Sequence, residues 1–197
     1  MNELHLTSPL TTERIREVKV NDVLYLSGPL FTARDMAHLR IRDLLGRNQP
    51  LPVDFQGAAV FHAGPGVKKT ADGYKVVLIG PTTSTRMGAY SEMMGKLGVK
   101  ILAGKAGVAD DSLGPFQKYG MVYLQTAPGC GSLHAQAVKA VKNVYWQDLG
   151  MPEAIWALEV SNWGPLIVAM DSHGNSIYRD IREAGRKKVD ALLQKMA

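Results

Sequence analysis

Apolar and polar positions alternate in blocks whose period changes along the chain. Asp22 to Gly28 carries Val23, Leu24, Tyr25 and Leu26 in succession and reads as a strand. Arg34 to Gly46 sets Ala37, Ile41, Leu44 and Leu45 at i, i+4, i+7 and i+8, the spacing of one helix face. Pro50 and Pro52 break the chain before a second strand, Ala58 to His62; Gly64-Pro65-Gly66 reads as a turn, and Tyr74 to Ile79 as a third strand. After residue 80 strand and helix alternate. Val99 to Leu102, Met121 to Leu124 and Asn143 to Trp146 read as strands, and so do Ile155 to Val160 and Leu166 to Met170. Ser112 to Tyr119, Ser132 to Lys142 and the stretch from about Ser176 read as helices. The pattern predicts an α/β fold in one domain, 1–197, with residues 1–20 as an N-terminal arm, of which 11–20 read as a short helix or arm.

The third strand runs into Ile79-Gly80-Pro81-Thr82-Thr83-Ser84-Thr85-Arg86-Met87. A helical pattern follows, with Tyr90, Met93, Met94 and Leu97. A strand-to-helix turn aims backbone N–H groups and the positive end of the helix dipole at one point. Four consecutive hydroxyls and a guanidinium at that point predict a cradle for a carboxylate or phosphate. A helix cap needs only one such hydroxyl, and without Gly-Lys-[Ser/Thr] the loop is not a nucleotide P-loop. Arg34 opens the first long helix and Lys105 stands in Gly104-Lys105-Ala106-Gly107. Taken singly these read as a cap and an exposed turn. Gathered with Arg86 they give three cations, a number that suits a dicarboxylate.

Composition narrows the partners. The net charge is +5, with a pI near 9.3. Much of the excess lies in the last helix, where Arg179, Arg182, Arg186, Lys187, Lys188 and Lys195 alternate with Asp180, Glu183 and Asp190. That reads as a solvated face, and no nucleic-acid motif accompanies it. No apolar run approaches the roughly 20 residues of a membrane span, and Met1-Asn2-Glu3-Leu4-His5 does not begin a signal peptide. A single cysteine, Cys130, suits a reducing cytoplasm and cannot by itself hold an iron–sulfur cluster. It lies in the Gly-rich turn Pro128-Gly129-Cys130-Gly131-Ser132, where a small residue suffices. His38, His62 and His134 are scattered without ligand spacing, so no metal site is expected within the chain. His173, in Asp171-Ser172-His173-Gly174-Asn175, reads as part of a tight turn. Trp146, Trp156 and Trp163 are candidates for an apolar docking patch.

Several of these motifs occur together, in order, over nearly the whole chain. They are Leu26-Ser27-Gly28, Thr32-Ala33-Arg34-Asp35-Met36-Ala37-His38, Phe61-His62-Ala63-Gly64-Pro65, Gly80 to Met87, Gly104-Lys105, Asp148 to Ala154, and Gly164-Pro165-Leu166 with Asp171 to Asn175. The combination resembles the β component of the class I (iron–sulfur) fumarase and L-tartrate dehydratase family. The resemblance implies a swivelling β/β/α domain like the mobile domain of aconitase-like enzymes. It implies a [4Fe–4S] cluster held by an α subunit and not by this chain, an α2β2 assembly, and reversible dehydration of a 2-hydroxy dicarboxylate. It places Thr82 as the catalytic base, with Arg34, Thr83, Arg86 and Lys105 on the substrate carboxylates and Arg86 also stabilising charge in the transition state. Fumarate hydratase is the expected activity. L-tartrate dehydratase and a non-catalytic dicarboxylate-binding domain are the alternatives.

Overall fold

Alternate residues of the central strands face two different cores. In the computed structural model, which describes residues 2–71 and 73–196, strand β2 (Val23–Thr32) sends Leu24, Leu26 and Leu30 into one core. Ala59 and Phe61 of β3 (Ala59–Phe61) join them, while Val60 faces the other core. The split repeats in β6 (Ile101–Gly104), with Ile101 and Ala103 against Leu102, and in β7 (Val122–Gln125), with Val122 and Leu124 against Tyr123. A sheet buried on both faces needs apolar side chains at successive positions, which is why these segments read as short apolar runs.

Parallel ladders join β2 to β3, β3 to β6 and β6 to β7. The long strand β9 (Ile155–Met170) runs antiparallel to both β7 and β2 and so closes the sheet into a barrel-like ring. The first core fills this ring, with Trp163, Leu166 and Val168 from β9. The second lies beneath the helices α2 (Asp35–Gly46), α3 (Ser91–Lys96) and α4 (Leu113–Tyr119), which contribute Ile41, Met94 and Phe116. β1 (Glu3–Thr7) adds to β2 in parallel, and β8 (Val138–Tyr145) adds to β9 in antiparallel. β4 (Ala63–Thr70) and β5 (Gly73–Pro81) form a separate hairpin.

Four segments differ from the expectation. The stretch expected as an arm is ordered into the fold from Asn2 onward: Leu6 of β1 is buried, as are Ile15 of α1 (Thr12–Arg16) and nearby Val18. Gly64 to Gly66 is strand, not turn. The chain reverses later, between Thr70 and Gly73, where Gly73 has φ 125°. Gly64 serves close approach instead, since a Cβ there would lie 2.8 Å from Pro152 Cβ. The helix expected over 132–142 stops early. Only Gly131–Gln136 is helical (α5), and Val138, Val141 and Val144 then pair across to β9, where β-branched side chains fit a pleated surface. The two strands expected around Gly164-Pro165 are one, with register shifts in the β2–β9 ladder that carry it past a residue lacking an N–H. The last helix, α6 (Ile177–Met196), starts where expected and buries none of its side chains. No helix among the described residues is long and apolar enough to cross a membrane.

Candidate active site

The carboxyl ends of β2, β3 and β6 open toward one side of the sheet, the usual place for a ligand in α/β folds. Arg34 and Asp35 follow β2, His62 follows β3 and Lys105 follows β6. The loop Thr82-Thr83 arrives there from the hairpin and is stitched down by its backbone. The Thr82 N–H donates to the His62 carbonyl at 2.7 Å, the Ser84 N–H to the Lys105 carbonyl at 2.9 Å, and the Lys105 N–H to the Thr82 carbonyl at 3.3 Å. Thr83 and Lys105 thus form an isolated parallel bridge.

That stitching corrects one expectation. The N–H groups of Thr82 and Ser84 point inward, into the fold, and are not offered to a ligand. The residues that follow form a 3-10 turn, Ser84–Tyr90, and then the six-residue α3, not one long helix. The N–H groups of Thr82 and Ser84 are thus spent within the fold, and no long helix aims its dipole at the loop.

Those side chains form an alternating chain of charge. Arg86 grips Asp35 in a fork, Nε to Oδ1 and Nη2 to Oδ2, both at 2.8 Å. The same Nη2 donates to Thr82 Oγ1 at 3.1 Å. The hydrogen bonds from Arg86 hold the Asp35 carboxyl below the usual aspartate range against a partial desolvation that raises it. Arg34 Nε sits 3.1 Å from Glu153 Oε1, an ion pair whose angle falls outside hydrogen-bond geometry. The other Glu153 oxygen, Oε2, accepts from the Met36 N–H at 2.9 Å. Arg34 occupies the N-cap position of α2 but makes no side-chain cap, so its guanidinium is spared for this cluster. Asp35, the first residue of α2, holds Arg86. Among the described residues the Lys105 side chain has no ion-pair partner.

Beneath the loop lies a buried polar group that the sequence did not reveal. Tyr123 Oη donates to Ser84 Oγ at 2.9 Å, and Ser84 Oγ lies 2.9 Å from His62 Nδ1. The His62 ring packs edge-on against His38, with centroids 5.3 Å apart. His38 Nδ1 donates to the Arg34 carbonyl at 2.8 Å, since a carbonyl can only accept. Burial pushes the His38 imidazole down to about 4, opposed by the Arg34 carbonyl and Asp35. Burial likewise pushes His62 well down, and neighbouring His38 adds to the effect. Both rings are neutral at pH 7. Two of the three histidines read as scattered, His38 and His62, are in ring contact.

The remaining candidates are structural. His134 Nε2 meets the Ala127 carbonyl, and its Nδ1 accepts from Trp163 Nε1. His173 sits in a turn organised by Asp171 and touches the Arg16 carbonyl. Trp156 and Trp163 are buried, and Trp146 is half-buried under Arg40, so the tryptophans form no exposed patch. Cys130 is half-buried, and no group of three His, Cys, Asp or Glu side chains suited to a metal ion occurs among the described residues. The larger grooves lie elsewhere, one of about 610 Å³ between β5, α5 and β8 and one of about 650 Å³ beside Tyr90 and Met93. Met36, next to Asp35 in the chain, is exposed, as is Met151, whose neighbour Pro152 packs over Gly64 beside the Arg34 guanidinium.

The family described as Fumarase C-terminus matches residues 1–181. A protein of Methanocaldococcus jannaschii, provisionally named an L(+)-tartrate dehydratase subunit beta, is 48% identical over 186 residues, covering 93% of this chain and 95% of that one. The L(+)-tartrate dehydratase subunit beta of Escherichia coli K12 is 37% identical over 192 residues, covering 97% and 94%. A protein of Geobacillus stearothermophilus, provisionally named a class I fumarate hydratase, is 37% identical over 186 residues, covering 93% of this chain but 35% of its own length.

Proposed function

Because this chain belongs to the fumarase C-terminus family, we propose that it is the β subunit of a two-subunit hydro-lyase that reversibly dehydrates a four-carbon 2-hydroxydicarboxylate, L-malate to fumarate in the first instance. The names of the two relatives that it matches nearly end to end favour a second reading, L-tartrate as substrate. The barrel-like sheet with helices over one face is read as the swivelling β/β/α domain of aconitase-like enzymes. Within that reading the partner α subunit carries a [4Fe–4S] cluster. This chain does not fit as its holder, having one cysteine and no metal-holding group among its described residues.

The observation that carries the proposal is the contact of Arg86 with both Asp35 and Thr82. A guanidinium has five N–H donors in a rigid fork. Asp35 and Thr82 take those on Nε and Nη2, and Nη1 has no partner among the described residues, so it is open to a substrate carboxylate. Arg34 and Lys105 receive the second carboxylate, with the Thr83 hydroxyl donating beside them. As charge builds on a carboxylate in the transition state, these fixed donors stabilise it without having to reorganise. Thr82 is the proton-transfer group. The hydrogen bond from Arg86 stabilises negative charge on its oxygen, the direction needed for a hydroxyl to act as a base. Exposed Met36 and Met151 on the rim are the surface over which the α subunit closes the site.

The test is to assemble the chain with its α subunit anaerobically and assay L-malate and L-tartrate side by side. Turnover of L-malate supports the first reading and turnover of L-tartrate alone the second. Turnover of neither by a cluster-loaded, assembled complex refutes both.

A further inference from the structure

We infer that His62 is a positioning residue for the threonine loop, acting through the Ser84 hydroxyl. The loop has two anchors on His62. One is main chain, the Thr82 N–H on the His62 carbonyl at 2.7 Å. The other is the side-chain relay of Tyr123 Oη, Ser84 Oγ and His62 Nδ1, each step 2.9 Å. With the His62 proton on Nε2, donors and acceptors match along the relay, and the buried Nε2–H itself is left without a partner. The Tyr123 hydroxyl spends its proton on Ser84, and Ser84 has its own proton to give to the bare Nδ1 of a neutral imidazole.

All three side chains are fully buried, so losing one member leaves the others without water to replace it. His62 follows β3, Ser84 opens the turn after Thr82-Thr83, and Tyr123 lies in β7. The relay therefore pins a mobile kind of element, a loop, to two rigid strands. It fixes the loop two residues from Thr82 and two from Arg86, the groups whose placement the reaction depends on. On the other side of His62, His38 holds the Arg34 carbonyl, so the histidine pair lies between the two halves of the cationic cradle.

The inference rests on the hydro-lyase reading only for what the loop does, and its test reads the loop in the isolated chain. Amide hydrogen exchange is followed in wild type, Ser84→Ala, Tyr123→Phe, His62→Leu and His62→Asn. The last keeps a polar group near the position of Nδ1. Exchange at Thr82 and Ser84 should speed up about tenfold in the first three variants and less than about threefold in His62→Asn, while amides of β6 hold steady. If the folded variants leave loop exchange unchanged, or if β6 amides accelerate equally, the relay does not position the loop. Tyr123→Phe keeps the ring and so keeps the test alive should His62→Leu fail to fold. In the assembled enzyme Ser84→Ala should lower kcat more than tenfold with KM within about threefold. An inert wild-type complex counts against the hydro-lyase reading and leaves the exchange result standing.

Discussion

A methyl group at position 104 tests the packing under the loop most directly. Gly104 ends β6 just before Lys105, and a Cβ placed there would lie 2.1 Å from Ser84 Oγ, 3.2 Å from His62 Cβ and 3.4 Å from the Thr82 carbonyl oxygen. No real Cβ tolerates the first distance, so in Gly104→Ala the Ser84 hydroxyl must rotate away. Its departure strands the Tyr123 hydroxyl and His62 Nδ1, both buried, and each stranded group costs about 1–3 kcal/mol. Gly104→Ala should therefore destabilise the chain by roughly 2–6 kcal/mol. Ser84→Ala strands the same two groups and should cost roughly 2–6 kcal/mol by the same reasoning. The decisive measurement is the double variant, followed by urea denaturation. With the hydroxyl already gone the new methyl loses its one impossible contact and keeps only His62 Cβ at 3.2 Å and the Thr82 carbonyl oxygen at 3.4 Å, so Gly104→Ala/Ser84→Ala should be no more than about 1 kcal/mol less stable than Ser84→Ala alone. Neighbours sharing one mechanism couple in this way, whereas independent sites add. Additive losses, or a Gly104→Ala cost below about 0.5 kcal/mol, would refute the argument that this oxygen fills the space.

Three further outcomes follow from the same geometry. Arg86→Ala removes an ion pair that is only half-buried, so stability should change by no more than about 1 kcal/mol, while turnover of the assembled enzyme should fall at least about a hundredfold; a variant that unfolds would make Arg86 structural. Because His38 is depressed to about 4 from an unfolded value near 6.5, the unfolded chain binds the extra proton between those pH values. Stability is then full above about 6.5 and declines by about 3 kcal/mol as pH falls to about 4, with His62 adding in the same direction, so a urea midpoint that stays flat across this window would count against two buried neutral rings. Calorimetry of the chain alone with L-malate or L-tartrate should give a Kd no tighter than about 1 mM, and micromolar binding would support a stand-alone binding domain instead of half an active site.

The sequence exposed the elements whose signal is local. Ala37, Ile41 and Leu44 announced α2, and Thr82 to Arg86 stood out because four hydroxyls and a guanidinium exceed what a cap requires. What it hid is set by contacts across the chain. Val138 to Tyr145 is strand because β9 is there to pair with it, and nothing in the local pattern says so. His38 and His62 are 24 residues apart, with no ligand-like spacing, and meet only because α2 returns over the end of β3. Glu153 was visible inside the run from Asp148 to Ala154, yet its partnership with Arg34 spans more than a hundred residues. The Gly64-Pro65-Gly66 misreading has the same root. Glycine marks both turns and close approaches, and only Pro152 overhead decides between them.

Charge balance explains why such a cradle would stay open until a partner arrives. Arg34, Arg86 and Lys105 bring three positive charges, and Glu153 and Asp35 already engage two of them. One net positive charge is left to meet a substrate that carries two negative ones. The two carboxylates are not wasteful, because a guanidinium with no partner would be free to rotate, and a fixed donor stabilises a transition state better than a mobile one. Holding each arginine by one edge against its own carboxylate orients it and leaves the opposite edge for the ligand. The arrangement gives up ground-state affinity in exchange for orientation. In the proposed enzyme the missing positive charge must then come from the other subunit, so the dicarboxylate is bound firmly only once the two surfaces have closed, where water is excluded and the same charges act through a lower dielectric.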